Sequence, residues 1–270
     1  MEWREADGVR WLEADLGGAR AAFSTRQGGV SEAPFDSLNL GLLTDDDAET
    51  VFENRRRLTA VLGIEPERVA YGRQVHGATL ASRGSFSTAE VQKEPRGGGP
   101  ESRGSFCAPE VQKEPRSVDL PEADGQIVRE PGVAGLVFVA DCLPVALYGP
   151  EGVAMLHCGW RPLAAGIVAD GAAAVGATAA AIGPGIGPCC YEVGEEVLGA
   201  FSHLGEGIAD GRMLDLPEVA RRLIVAAGVT EIESAGLCTS CESELFFSHR
   251  RDAGRTGRQA GLAWLNSEEG

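Results

Sequence analysis

Leu136-Val137-Phe138-Val139-Ala140-Asp141-Cys142 is the stretch on which the reading of this chain turns. A short apolar run rich in β-branched residues reads as a buried strand, and it ends on an acid and a thiol. Two other runs have the same form. Residues 153–156 read as a buried strand ending on His157-Cys158-Gly159-Trp160-Arg161, and residues 68–75 as a strand leading into His76-Gly77. His76, Cys142 and His157 therefore each follow a β-run, where a rigid sheet can hold a side chain in fixed geometry. One thiolate and two imidazoles suit zinc, and three protein ligands leave a fourth tetrahedral position open, as catalytic zinc requires. Spacing alone leaves the ordinary alternatives standing, because a free cysteine packs well as a small hydrophobe and most histidines are hydrogen-bonded structural residues. His203 and His249 are read that way.

The bulk properties narrow the field. A chain of 270 residues with 43% hydrophobic content can build one large core or two small ones. No apolar run is long enough to span a bilayer, and Met1-Glu2-Trp3-Arg4-Glu5 lacks the basic-then-apolar pattern of a secretion signal. A cytoplasmic protein with no membrane partner is expected. A net charge of -16 repels phosphate backbones, so nucleic acid is not an expected partner. The seven cysteines are odd in number and irregularly spaced, which points to thiols or metal ligands instead of a disulfide framework. Cys238-Thr239-Ser240-Cys241 is a lone C-x-x-C pair and reads as ordinary thiols; Cys189 and Cys190 read as adjacent buried thiols.

Along the chain, residues 9–12 and 20–24 read as strands, followed by a loop at residues 25–31 whose paired glycines allow tight backbone geometry. A helix is predicted over 48–62, with an N-cap among Asp45–Asp47 and Gly63 as its stop. Residues 82–96 (SRGSFSTAEVQKEPR) recur almost unchanged at 102–116 (SRGSFCAPEVQKEPR). Each copy has little apolar surface to bury in return for ordering, so 81–117 reads as a flexible, duplicated surface insertion in a single domain spanning 1–270. A lid over the metal site is its sharper reading. Further strands are expected at 126–128, 180–182, 231–235, 245–248 and 261–265. Helices are expected at 163–175, through Val193, Val197, Phe201 and Leu204, and from Pro217 to Gly228. Strands and helices mix without strict alternation, which predicts an α+β fold of mixed β-sheets flanked by helices.

Several motifs together resemble the laccase-domain family, also called multicopper polyphenol oxidase and, in later usage, purine nucleoside phosphorylase. They are the 24–31 stretch STRQGGVS, Ser37-Leu38-Asn39-Leu40-Gly41, Gln74-Val75-His76-Gly77, Ala123-Asp124-Gly125, Ala140-Asp141-Cys142-Leu143-Pro144-Val145, His157-Cys158-Gly159-Trp160-Arg161, IGPGIGPCCYE at 182–192 and FFSHRRDAGRTGRQAG at 246–261. They occur in the family's order over nearly the whole chain outside the repeat. The resemblance implies a fold similar to cysteine hydrolases and one zinc held by His76, Cys142 and His157. It also implies phosphorolysis of adenosine, inosine or guanosine to base and ribose 1-phosphate, with adenosine deamination as a second activity. Purine nucleosides and phosphate are thus the expected partners. Candidate catalytic or substrate-binding residues are Arg26, Asn39, Asp141, Arg161, Arg251 and Arg258, because guanidinium forks match phosphate oxygens and Asp141 adjoins a ligand as an imidazole-orienting support or a strand-end cap. Arg250 and Arg255 belong to the same basic cluster. The chain departs from the family pattern at Cys158, where alanine is usual, and Pro162, where glycine is usual; Cys158 reads as a packing residue. Three other classes compete: a copper-dependent polyphenol oxidase, for which four histidines and three methionines are a thin ligand supply, a metal-independent cysteine hydrolase using Cys142 and His157, and a zinc-stabilised binding module.

Overall fold

The structure is a computed structural model in which residues 1–83 and 120–267 are described. Strands β1 (Glu2–Ala6), β2 (Val9–Asp15) and β3 (Ala19–Ser24) form an antiparallel meander, and helix α1 (Ala48–Leu62) follows. Next come β4 (Val69–Ala70), β5 (Leu80–Arg83), β6 (Gly125–Val128), β7 (Ala134–Val139), β8 (Leu143–Gly149) and β9 (Gly152–Cys158). Helices α2 (Trp160–Ala164) and α3 (Ile167–Val175), strand β10 (Ala179–Ile182) and helix α4 (Glu195–Ala200) lead to the small pair β11 (Ala209–Asp210) and β12 (Met213–Leu214). Helix α5 (Leu216–Ala226), β13 (Glu231–Ser234) and β14 (Gln259–Leu265) complete the order.

Two six-stranded sheets carry the fold, in the orders β1-β2-β3-β14-β7-β4 and β13-β10-β8-β9-β6-β5. Parallel pairs (β4 with β7, β5 with β6, β10 with β13) sit among antiparallel ones, so the sheets are mixed, as an α+β reading requires. The alternation of side chains along each strand sorts them into layers. Val137 and Val139 of β7 meet Ala146 of β8 and Val153 and Met155 of β9 between the sheets. Leu143, Val145, Leu147, Ala154 and Leu156 face the other way, onto Val168 of α3 and Val219 and Ile224 of α5. Leu58 of α1 covers the outer face of the first sheet with Val9, Leu136 and Leu262. The molecule is thus layered helix, sheet, sheet, helix, and β8 and β9 are buried on both faces.

Several expectations need correction. The predicted strand over 68–75 is a strand only at Val69–Ala70, with one isolated bridge from Arg73 to Glu122 beyond it, and the amides from Val75 onward bond a side-chain carboxylate instead of a neighbouring strand. Residues 245–248 form no strand, a turn at Leu245 running into irregular chain; Gln259 replaces a strand partner there, its Oε1 accepting from Phe247 N (2.9 Å) and its Nε2 donating to Phe247 O (3.1 Å). The helix predicted over 163–175 breaks at Gly166, which takes φ +93°. Residues 81–83, expected to open the insertion, pair in β5 with β6; the rest of the insertion, 84–117, with nearly all of its duplicated segments, lies outside the described residues. Strands β1 and β8 had no counterpart in the reading of the sequence.

Helix α1 matches its prediction at both ends: Asp47 caps it through Thr50 N, and Gly63 closes it in the left-handed region. Its buried face holds a polar hub. Fully buried Asn54 accepts from Val30 N (2.8 Å) and donates to Ser31 Oγ (2.8 Å) and Asn39 O (2.9 Å), tying the glycine loop to the helix. Asn54→Ala leaves those groups buried without partners, and we expect it to cost about 2–4 kcal/mol in urea unfolding. An unchanged midpoint would show that the loop is held some other way.

Candidate metal centre

The β7–β8 connection crosses from one sheet to the other within Ala140-Asp141-Cys142. Asp141 takes φ +94°, a conformation that costs a non-glycine residue on the order of 1–3 kcal/mol. It is braced from three directions. Its Oδ1 accepts from Thr239 Oγ1 (2.7 Å), its Oδ2 from Arg250 N (2.7 Å) and its carbonyl from Ile186 N (2.8 Å). This turn sets Cys142 against the inter-sheet core. His157 lies one strand over on β9 and shares its face with Val153 and Met155, whereas Cys158 points to the opposite core. Burial pushes the Cys158 thiol well up, so it is the packing residue the sequence suggested and faces away from the other ligands.

Asp124 joins the third ligand to the second. Its fully buried carboxylate accepts from the backbone amides of Val75 (3.1 Å), His76 (2.9 Å) and Gly77 (2.8 Å), and from His157 Nδ1 (2.8 Å). Burial works against its ionisation, but His157 and the loop amides outweigh that and hold it below its usual range. Those bonds hold His76 at φ +59° and fix the tautomer of His157, with Nδ1 donating to Asp124 and Nε2 left for a ligand. The His76 and His157 rings stand edge to face with centroids 4.8 Å apart.

The ligand atoms of His76, Cys142 and His157 all lie within 4.8 Å of one another. Zinc bonds of about 2.0–2.3 Å place tetrahedral donors roughly 3.3–3.8 Å apart, so the thiol and two imidazoles fit one zinc ion with little adjustment. Gly159 makes room, since a Cβ there would stand 2.8 Å from Cys142 Sγ. Burial resists ionisation of Cys142, yet His157 and His76 around its sulfur bring the thiol down to about 6. Reciprocally, burial disfavours a charged His157, but Cys142 and Asp124 raise it to about 9. A thiolate is therefore present at neutral pH, as a metal ligand requires.

The centre forms part of the wall of a cavity of about 460 Å³. Tyr71, Phe138, Trp160 and Tyr191 supply aromatic surface, and Arg55, Arg161, Arg250 and Arg258 supply cations. Burial, with Cys142 and Asp141 nearby, pushes the Tyr191 phenol to about 12, which keeps it a hydrogen-bond donor. Of the residues predicted for the site, Asp141, Arg161 and Arg258 line the cavity, and Arg26, Asn39 and Arg251 do not. Arg26 bonds Asp36 and Ser243 and stacks on Phe247. Arg251 bonds Asp252, Thr239 and Phe246. Asn39 acts at one remove, its Oδ1 accepting from Arg258 N (2.9 Å) and Gly41 N (3.0 Å). Among the described bonds Asp141 orients no imidazole; that work falls to Asp124. His249, read as structural, lines the cavity. Arg55 and Tyr71 were missed because a helix arginine and a post-strand tyrosine carry no local mark of a pocket.

Residues 20–266 match the family described as multi-copper polyphenol oxidoreductase laccase. The chain belongs to this family. A purine nucleoside phosphorylase of Pseudomonas aeruginosa is 37% identical, covering 94% of this chain and 98% of its own. Purine nucleoside phosphorylase YlmD of Geobacillus stearothermophilus is 36% identical, covering 96% and 95%. Among solved structures, the hypothetical protein YfiH of Bacillus licheniformis superposes with a TM-score of 0.80 at 31% identity, covering 98% of this chain and 99% of that one. Among the described residues no helix is long and apolar enough to cross a membrane.

Asp124→Asn removes the charge that orients His157 and the His76 loop. Zinc affinity, read by competition with a chromogenic chelator, is expected to fall by about 10–100-fold. Unaltered affinity in a folded variant would show that the ligands need no such support.

Proposed function

We propose that this chain is a zinc-dependent purine nucleoside phosphorylase. The observation that carries the reading is a single cavity that combines the His76, Cys142 and His157 cluster with aromatic walls and arginines in a protein of net charge -16. The names of the similar bacterial proteins support the same substrate class.

The parts divide as follows. A purine has an apolar face and polar edges, and Tyr71, Phe138, Trp160 and Tyr191 offer stacking surface and a phenol donor. Arg161 and Arg258 present guanidinium groups to phosphate. Burial lowers Arg258 from its ordinary range while Cys142 and Asp141 oppose that, so a bound dianion adds to the charge that keeps it protonated. With phosphate held opposite the base, a phosphate oxygen forms the new bond to C1′ of the ribose. The C1′–N9 bond breaks, its electron pair goes to the base, and the base takes up the proton that hydrogenphosphate gives up on becoming the ester. Zinc held by His76, Cys142 and His157 would supply Lewis-acid polarisation of a substrate atom. Adenosine deamination is proposed as a second activity of the same centre, because a set of three protein ligands suits hydrolytic zinc chemistry.

One observation favours a metal-free alternative: Cys142, His157 and Asp124 line up as thiol, base and orienting carboxylate, the order of a cysteine hydrolase. Such a triad has no use for a second imidazole, yet His76 faces the same sulfur. That favours the metal.

The test incubates purified protein with inosine, guanosine and adenosine, with and without phosphate. Phosphate-dependent release of base and ribose 1-phosphate is expected, and inosine formed from adenosine without phosphate reads out deamination. Cys142→Ala is expected to bring turnover to background. Arg258→Met is expected to raise KM for phosphate roughly tenfold, the equivalent of about 1.4 kcal/mol. Full turnover after exhaustive metal removal would replace this reading with the cysteine hydrolase.

A further inference from the structure

A second cluster of sulfurs lies outside the cavity. The parallel pairing of β10 with β13 carries two loops forward side by side, and the Gly185–Cys238 bridge continues it. One loop ends at Cys189-Cys190 and the other at Cys238-Thr239-Ser240-Cys241. The four sulfurs all lie within 4.8 Å of one another, with Cys241 Sγ 3.4 Å from Cys189 Sγ and 3.5 Å from Cys190 Sγ. The adjacent thiols are not buried, as the sequence had suggested: Cys189 and Cys241 are exposed and Cys190 and Cys238 half-buried.

We propose that Cys189, Cys190, Cys238 and Cys241 bind a second zinc ion in a closed structural site. Zinc–sulfur bonds of about 2.3 Å make a tetrahedron with edges near 3.8 Å, which is the scale of this cluster. All four cysteines converge on one point, and Cys241 contacts both members of the adjacent pair, an arrangement that serves one tetrahedral ion better than it serves two separate pairs. The backbone is shaped for thiolates as well. Gly187 N donates to Cys238 Sγ (3.3 Å). Amide donors to ligand sulfur are the outer support that orients metal thiolates. Four protein ligands leave no open position, so this ion has a structural role.

Its position gives that role a target. Thr239, inside the C-x-x-C turn, donates to Asp141 and accepts from Arg251 Nη1 (2.9 Å) through its carbonyl. Tyr191, next to Cys190, lines the cavity. An ion joining the two loops would therefore hold the brace on Asp141 and, through it, the placement of Cys142.

Metal content of the full chain, purified under reducing conditions and loaded with zinc or cobalt, tests this. Two equivalents per chain are expected. Cys142→Ala should retain one, with the cobalt spectrum of an all-thiolate tetrahedral site. Cys238→Ser/Cys241→Ser should also retain one, with the weaker thiolate charge-transfer bands of a single sulfur ligand. If the double variant does not fold, the Cys142→Ala spectrum alone decides. One equivalent in the wild type with none in Cys142→Ala overturns the proposal, as do disulfides mapped among these four cysteines. Loss of the cavity ion alone would leave it standing.

Discussion

One buried carboxylate organises the reactive end of this molecule. Asp124 is removed from water and accepts bonds from three consecutive amides and one imidazole. A carboxylate in that setting is tolerable only while those donors stay in place. The His76 loop and the end of β9 are thereby locked to one another, and two imidazoles meet at one sulfur. The sheets contribute what the carboxylate cannot: β7 and β8 belong to different sheets, and the turn between them carries Cys142 to the seam.

That turn is strained at Asp141, and the strain is balanced by contacts drawn from three later segments at Ile186, Thr239 and Arg250. Two carboxylates therefore share the work. Asp124 orients imidazoles, and Asp141 anchors the loops that wall the cavity. The four-cysteine cluster sits behind the second of these: Thr239, between Cys238 and Cys241, bonds the carboxylate of Asp141, the neighbour of Cys142.

Much of this was legible in the sequence where local chemistry is decisive. Helix α1 was readable at both ends, because Asp47 and Gly63 are local start and stop signals whose effect does not depend on the rest of the chain. His76, Cys142 and His157 stood out by their settings, and the resemblance joined them. Asp124 was visible within a quoted motif, yet nothing near it marks its role, since its partners lie 33 to 49 positions away. The four cysteines failed to register for a related reason: an adjacent pair and a C-x-x-C pair are each weak signals, and only the pairing of β10 with β13 brings them together. The strand expected at 245–248 was an error of the same kind, because Gln259 supplies from a distance the bonds that a neighbouring strand would have made.

Diffraction from crystals of the zinc-loaded protein, collected on both sides of the zinc absorption edge, reaches the central claim most directly. The account predicts an anomalous peak within bonding distance of Cys142 Sγ, His157 Nε2 and one ring nitrogen of His76, with His157 Nδ1 still on Asp124. A map with no peak among these three side chains, or with His157 turned away from Asp124, would contradict it.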